Sequence, residues 1–532
     1  MAVYVPETFT DEEADILRRY FTNLDGPVFA LVNLPEVVKG ALFARYSRSP
    51  KSLRRLFLDE FVGDLDISGD QTVDATIGLD RAEELYQRVF FDYGDDSVAQ
   101  LGGVHLACEQ ASNLLTKVLE WGRLMSYLEQ STRYIAYDAR LGGRYRYHRD
   151  PDVLAGAFGT RYVGDMDRMF DAYSHCAERV TDHVRATVPR TDDDSEFVYR
   201  TATRAKALDA VRGMLPAAAT SNVGIYGTGQ AFEALLLRMR AHPLPEARSY
   251  ADLMLHELRK VIPSFLRRVD IPERGGEWSD YLAATRDDTA QLVGDLFGDA
   301  PVDPTSEVTL VDHDPEAEDK ILAAICYSHS SLPESQLLDR VRGLGVDERA
   351  SLLRAYIGDR KNRRHKPGRA FERAAYRFDV LSDYGAFRDM QRHRMLTIEW
   401  QRLTPNHGYV RPELVDDAGV SDAFDETMQR SADLYDALAG DHWNQAPYAV
   451  SMAYRLRYSM QFNVREAFHM LELRSSPQGH PSYRRVALEM HRLIGEQAGH
   501  HALAAAMTFM TTEAPELERL ESERRAEQRR TQ

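Results

Sequence analysis

Apolar and polar positions along the chain follow the periods of strands and helices, and one order of elements comes round twice. Residues 28–32 (VFALV) form an apolar run of strand length, and Pro35-Glu36 opens a helical pattern that closes on Ala44-Arg45-Tyr46-Ser47. Residues 308–311 (VTLV), Pro315-Glu316 and Ile325-Cys326-Tyr327-Ser328 repeat that order. Pro35 and Pro315 are 280 residues apart, Tyr46 and Tyr327 are 281 apart, and Arg123 and Arg394 are 271 apart. Matching order with slowly drifting spacing is the trace of a diverged tandem duplication.

Between these anchors, residues 104–121 keep a helical period, and 195–215, 231–240 and 245–262 read as helices. In the second half, 374–380 alternates like a strand, 385–394 reads as the helix after it, and 446–473 reads as largely helical. That last stretch brings Asn463 and Arg465 together, with Arg474 about two and a half turns on. Thr10 followed by three acids caps an N-terminal helix. The Asp-, Gly- and Pro-rich residues 270–319 mark a connector holding one helix near 281–297. The division expected is a helical extension (1–27), a first copy (28–268), a linker (269–307), a second copy (308–512) and a charged tail (513–532).

A length of 532 residues with 43% apolar composition supports well-buried cores, and the net charge of −17 argues against a general nucleic-acid-binding surface. It leaves room for a local basic pocket that captures one small anion. Cys108, Cys176 and Cys326 are far apart and form no CxxC, so neither a disulfide framework nor a zinc site is indicated. With no apolar run of membrane length and no leader-like start, a cytoplasmic protein without a membrane partner is expected. Asp192-Asp193-Asp194 reads better as a solvated helix start than as a magnesium site, and no metal is expected. Walker A, GxSxG and HExxH patterns are absent, and residues 224–230 (GIYGTGQ) match a dinucleotide fingerprint poorly because no preceding strand is evident.

Two clusters carry candidate chemistry. Residues 120–138 (EWGRLMSYLEQSTRYIAYD) set Arg123, Ser126, Glu129, Ser131 and Arg133 into an apolar segment. On a helix, Glu129 and Arg133 would be a surface ion pair four residues apart. Arg392, His393 and Arg394 stand together in the second half, and their planar forks suit phosphates and paired carbonyls. An exposed basic turn is the alternative.

Arg392-His393-Arg394 resembles the RHR core of the flavin-dependent thymidylate synthases. Arg123-x-x-Ser126-Tyr127-x-Glu129-x-Ser131-x-Arg133-Tyr134 resembles the rest of the same motif, RHRxxSxNExSxRY. Neither half carries all of it. The first half has Trp121 and Gly122 for the first Arg and the His, and Leu128 for the Asn. The second has Thr397 for the first Ser, with Arg402 and Thr404 further on. Ser97-Val98-Ala99-Gln100 and His365-Lys-Pro-Gly resemble the short segment that precedes the motif. Asn463-x-Arg465 and Leu473-Arg474 resemble later flavin- and substrate-contacting positions. Gly229, Ala231 and Arg240 stand at the comparable places of the first half.

The resemblance implies an α+β fold in two tandem copies, helix-rich with a small sheet in each. It implies FAD as cofactor, with NADPH and methylenetetrahydrofolate as co-substrates in the methylation of dUMP, or a related pyrimidine nucleotide, to dTMP. Arg392, His393, Arg394, Asn463 and Arg465 would hold the flavin. Glu129, Ser131, Arg133 and Arg474 would hold the nucleotide, with Arg394, Ser131 and Arg133 nearest the chemistry. No residue is visibly activated as a covalent nucleophile. Because the family assembles as a homotetramer with sites between subunits, a homodimer of this fused chain would supply four subunit equivalents, each copy completing the other's site. The missing motif residues equally fit a catalytically inactive flavin- or nucleotide-binding relative.

Overall fold

A computed structural model describes residues 4–62, 100, 102–192, 194–298, 300–513, 517 and 519–531. Its strands form two four-stranded antiparallel sheets of the same topology. In the first, β1 (Val28–Leu31), β2 (Gly103–Ser112), β3 (Met125–Glu129) and β4 (Thr220–Thr228) lie in the order β1-β2-β4-β3. In the second, β5 (Val308–His313), β6 (Ala375–Asp383), β7 (Leu396–Trp400) and β8 (Arg455–Asn463) lie in the order β5-β6-β8-β7. The duplication read from spacing is thus repeated strand for strand.

The central strands share one local device. β2, β4, β6 and β8 each run straight into a helix, and the last strand residue serves as its N-cap. Ser112 accepts from Leu115 N–H, Thr228 from Ala231, Asp383 from Ala386 and Asn463 from Glu466. Each short polar side chain satisfies a donor that would otherwise be orphaned, so no turn residues are needed between strand and helix. This corrects three sequence expectations. Residues 104–121 are strand β2 followed by helix Asn113–Leu119, and 446–473 contain all of β8 before helix Val464–Arg474. Residues 224–230 are the end of strand β4 and the first residues of helix Gly229–Arg240, and that strand is antiparallel to both its neighbours, unlike a dinucleotide-binding βαβ unit. Further, the helix expected over 385–394 ends at Met390.

The compact units interleave along the chain. One comprises residues 1–174, 214–302 and 425–451; the other comprises 175–213, 303–424 and 452–532. In the first, Tyr448 donates to Glu246 Oε2 at 2.7 Å, and the Ser112 hydroxyl donates to the same carboxylate at 2.5 Å. This ties the segment from late in the chain to β2 and to helix Pro245–Leu258. The N-terminal helix Asp11–Leu17, with its Thr10/Glu13 capping box, contributes Leu17 to a core with Phe21, Phe29, Tyr46 and Phe57. In the second unit, helix Glu196–Val211 starts from the Ser195 cap as the acids before it suggested, and Asp194 is bound by Arg524 of the C-terminal helix. That helix, Leu520–Thr531, is therefore attached at this point rather than merely solvated. Cys108 and Cys176 are buried free thiols, while Cys326 is only half-buried.

Glu472, on helix Val464–Arg474, receives both arms of Arg360 at 2.7 and 2.5 Å in a buried fork-to-fork pair. The guanidinium also lies 5.2 and 5.0 Å from the Phe468 and Phe509 rings. Glu472→Ala leaves that guanidinium buried and uncompensated, and is expected to lower stability by about 3–5 kcal/mol. Replacing both members with Met and Leu should cost far less. Chemical denaturation of the two variants decides.

Candidate functional site

Strand register places the site. Leu396 of β7 pairs with Phe462 of β8, so the residues just before β7 lie alongside the Asn463 cap and the first turn of helix Val464–Arg474. That helix presents Arg465, Glu466, His469, Leu473 and Arg474 toward the loop that carries Arg392, His393 and Arg394. Together with Lys366, Glu372 and Met395, these residues line a cavity of about 290 Å³. Six residues singled out from sequence, Arg392, His393, Arg394, Asn463, Arg465 and Arg474, therefore converge on one pocket. Sequence reasoning passed over Glu466 and His469. Their spacing of three from Asn463 and from one another would have shown them, once the cap fixed where the helix begins.

The floor of the pocket is a hydrogen-bonded chain. His393 Nδ1 lies 2.9 Å from Glu466 Oε1, and Arg474 Nε donates to His393 Nε2 at 2.9 Å. The Asp389 carboxylate lies 3.6 Å from Arg474 and 3.5 Å from Arg392. Arg465 donates to the Pro367 carbonyl at 2.9 Å and keeps part of its fork exposed. Burial raises the Glu466 carboxyl to about 7 despite the opposing charges of Lys366, Arg465 and Arg474. Burial, followed by the charge of Arg474, holds His393 well below the usual imidazole range. Burial and Lys366 bring His469 down to about 4.

His393, Glu466 and His469 each offer a ligand atom, all within 4.8 Å of one another, which is a spacing a metal could use. The surroundings oppose it. Lys366, Arg465 and Arg474 act on these groups as neighbouring cations, and His393 already engages both ring nitrogens. The same field favours an anion.

Glu129, Ser131 and Arg133 belong to the first unit, where the segment is not the helix that a surface ion pair four residues apart would need. Residues 125–129 are strand β3, and Glu129 is a buried carboxylate at its end, 3.2 Å from Lys117, which also binds Glu120 at 2.5 Å. Ser131 and Arg133 follow in a turn anchored by Ser131 N–H to the Ser47 carbonyl at 3.1 Å, with Arg133 N–H donating to Ser131 Oγ at 3.3 Å.

Register also settles which positions of the two copies correspond. Met125 pairs with Gly227 as Leu396 pairs with Phe462, so Trp121, Gly122 and Arg123 match Arg392, His393 and Arg394. The caps then match Thr228 and Gln230 to Asn463 and Arg465, one residue before the Gly229 and Ala231 expected from spacing. On the same register Met239, and not Arg240, matches Arg474. A Cβ on Gly122 would lie 2.5 Å from the Tyr127 hydroxyl, and Arg238 lies 5.4 Å from the centre of the Trp121 ring. An imidazole cannot stand at position 122 unless Tyr127 moves.

The profile of the family described as "Thymidylate synthase complementing protein" matches residues 44–264 and 309–498. The chain belongs to this family. It carries the family domain twice, and the two sheets show both copies built on one α+β plan. A UPF0159 protein of Chlamydia muridarum is 38% identical over 523 residues, covering 97% of this chain and 98% of that protein. A UPF0159 protein of Thermoplasma acidophilum is 31% identical over 513 residues, covering 91% and 97%. No helix among the described residues is long and apolar enough to cross a membrane.

A carboxyl raised from its ordinary 4.5 to about 7 binds protons in the folded state that the unfolded chain has released. Its contribution to stability is therefore present below pH 4.5 and lost as pH rises through about 7. Glu466→Gln removes this dependence. The stability of the variant relative to wild type should climb between those pH values by up to about 3 kcal/mol and then level off. Thermal melts of the pair from pH 5 to pH 8 measure it.

Proposed function

We propose that this protein is a thymidylate synthase of the flavin-dependent type, and that the pocket beside β7 and β8 holds the anionic part of FAD. The observation that carries the reading is the convergence of Arg392, Arg394, Asn463, Arg465 and Arg474, from segments far apart in sequence, on one pocket rich in donors and positive charge. The donor set suits a pyrophosphate, since guanidinium forks bind phosphate oxygens in pairs and stay charged at any working pH. A cavity of about 290 Å³ lies at the lower end of ligand-site sizes, so it matches a portion of a dinucleotide, with the remainder outside it.

When bound, the flavin supplies the reduction that turns a folate-borne methylene into the methyl group of dTMP, with NADPH as the source of electrons. The residues of the chain bind and orient. Arg392 and Arg394 take phosphate oxygens, Arg465 and the Asn463 amide lie at the helix start, and Arg474 meets an anionic edge of the substrate. Ser131 and Arg133 contribute to the nucleotide dUMP, and the Lys117-bound Glu129 holds their turn in place. A catalytically silent flavin- or nucleotide-binding protein is the second reading. It is favoured by the first copy, where Trp121, Gly122, Thr228 and Gln230 replace the donors of the second. Steady-state formation of dTMP from dUMP with methylenetetrahydrofolate, NADPH and FAD separates the two.

Arg394→Ala should abolish most flavin binding, since losing a charge-assisted bond costs about 1.5–3 kcal/mol, and should leave the affinity for dUMP nearly unchanged. Arg133→Ala should do the reverse. Fluorescence titration with FAD and calorimetry with dUMP read the two effects separately.

Among the described residues the second copy is the better furnished, with Arg392, His393 and Arg465 where the first has Trp121, Gly122 and Gln230, so one FAD per 532-residue chain is expected, in a homodimer. Released flavin counted against protein, together with sedimentation, tests this. Two flavins per chain would overturn it.

A further inference from the structure

Assigning Arg474 as an anion contact leaves unexplained why two buried titratable groups, His393 and Glu466, stand behind it. They are 6% and 7% exposed. Arg474 reaches His393 through Nε, which carries a hydrogen at every working pH and can only donate. The Nε2 that receives it must therefore be the unprotonated nitrogen of the ring. The ring proton then lies on Nδ1, 2.9 Å from Glu466 Oε1, where a carboxylate accepts it.

We propose that Glu466 is a positioning residue for Arg474, acting through His393. By accepting the Nδ1 proton it holds the imidazole in the single tautomer whose Nε2 can receive the guanidinium. Without an acceptor at position 466, the other tautomer becomes accessible. In that form Nε2–H and Arg474 Nε–H face each other as two donors, and the guanidinium loses its fixed place. Asp389, 3.6 Å from Arg474 Nη1, and Tyr483, whose ring centre lies 5.4 Å from the guanidinium, restrain the charge but offer Nε no acceptor, so they do not replace the imidazole. The effect on substrate rests on the pocket being the flavin and nucleotide site; the tautomer does not.

Around Glu466 stand Lys366 and Glu372 from the preceding segment, Arg465, His469 and Arg474 from its own helix, and Arg392 and His393 from the loop before β7, with Asp389 acting on His393. His469, brought down to about 4, is neutral above pH 5. A pH dependence between 6 and 8 that vanishes in Glu466→Gln therefore belongs to Glu466.

The experiment uses the full chain, with two variants and two readouts. Nitrogen-15 spectra of histidine-labelled protein, with the His393 signals identified by their loss in His393→Asn, should show the Nδ1–H tautomer in wild type. Glu466→Gln keeps a carbonyl acceptor and should keep that tautomer, whereas Glu466→Leu should shift it toward Nε2–H. In parallel, Glu466→Leu should weaken dUMP binding about tenfold or more with FAD binding preserved. Glu466→Gln should stay within about threefold of wild type and lose the pH dependence. A proton on Nε2 in wild type, or an unchanged tautomer in Glu466→Leu, overturns the proposal. So does an unchanged dUMP affinity in Glu466→Leu when wild type binds dUMP. Failure of wild type to bind either FAD or dUMP defeats the site reading instead, and the tautomer result still stands by itself.

Discussion

The Asn463 cap fixes the site. Its side chain accepts the Glu466 N–H at 2.8 Å, so β8 becomes helix Val464–Arg474 without an intervening turn. Because the strand is locked in register with β6 and β7, the phase of the helix is locked too. Glu466, His469 and Leu473 then recur on the side that faces residues 392–395, and Arg474 closes the row. Shifting the cap by one residue would turn that row by about 100° and disperse the pocket.

The same device operates in the first copy, where Thr228 caps helix Gly229–Arg240, yet the chemistry has not been kept there. Packing accounts for the difference. Tyr127 occupies the space a side chain at position 122 would need, and Trp121 with Arg238 takes up the place of the second copy's basic loop. One backbone plan thus serves a cationic cavity in one unit and a Trp121–Arg238 contact in the other. A chain with a net charge of −17 nonetheless concentrates Lys366, Arg392, Arg394, Arg465 and Arg474 around one pocket. Local field, not overall charge, decides what such a pocket accepts.

Sequence by itself determined the duplication, the strands at 28–32 and 308–311, the helices that follow them, and the six residues of the basic pocket. Those features rest on local rules, namely apolar runs, Pro-Glu helix starts and the fixed spacing of a short motif. Only the tertiary structure decided the strand-to-helix junctions within 104–121 and 446–473, since an amphipathic strand entering a capped helix leaves no break in a hydrophobic pattern. It alone paired Glu129 with Lys117, because burial at the end of β3 requires a charged partner from another element. It alone brought Glu466, His469 and Arg474 to His393, a match that depends on register between strand residues about sixty positions apart. It also drew each compact unit from separate stretches of the chain, joined by contacts such as Tyr448 to Glu246 whose strength depends on distance in space and not on separation in sequence.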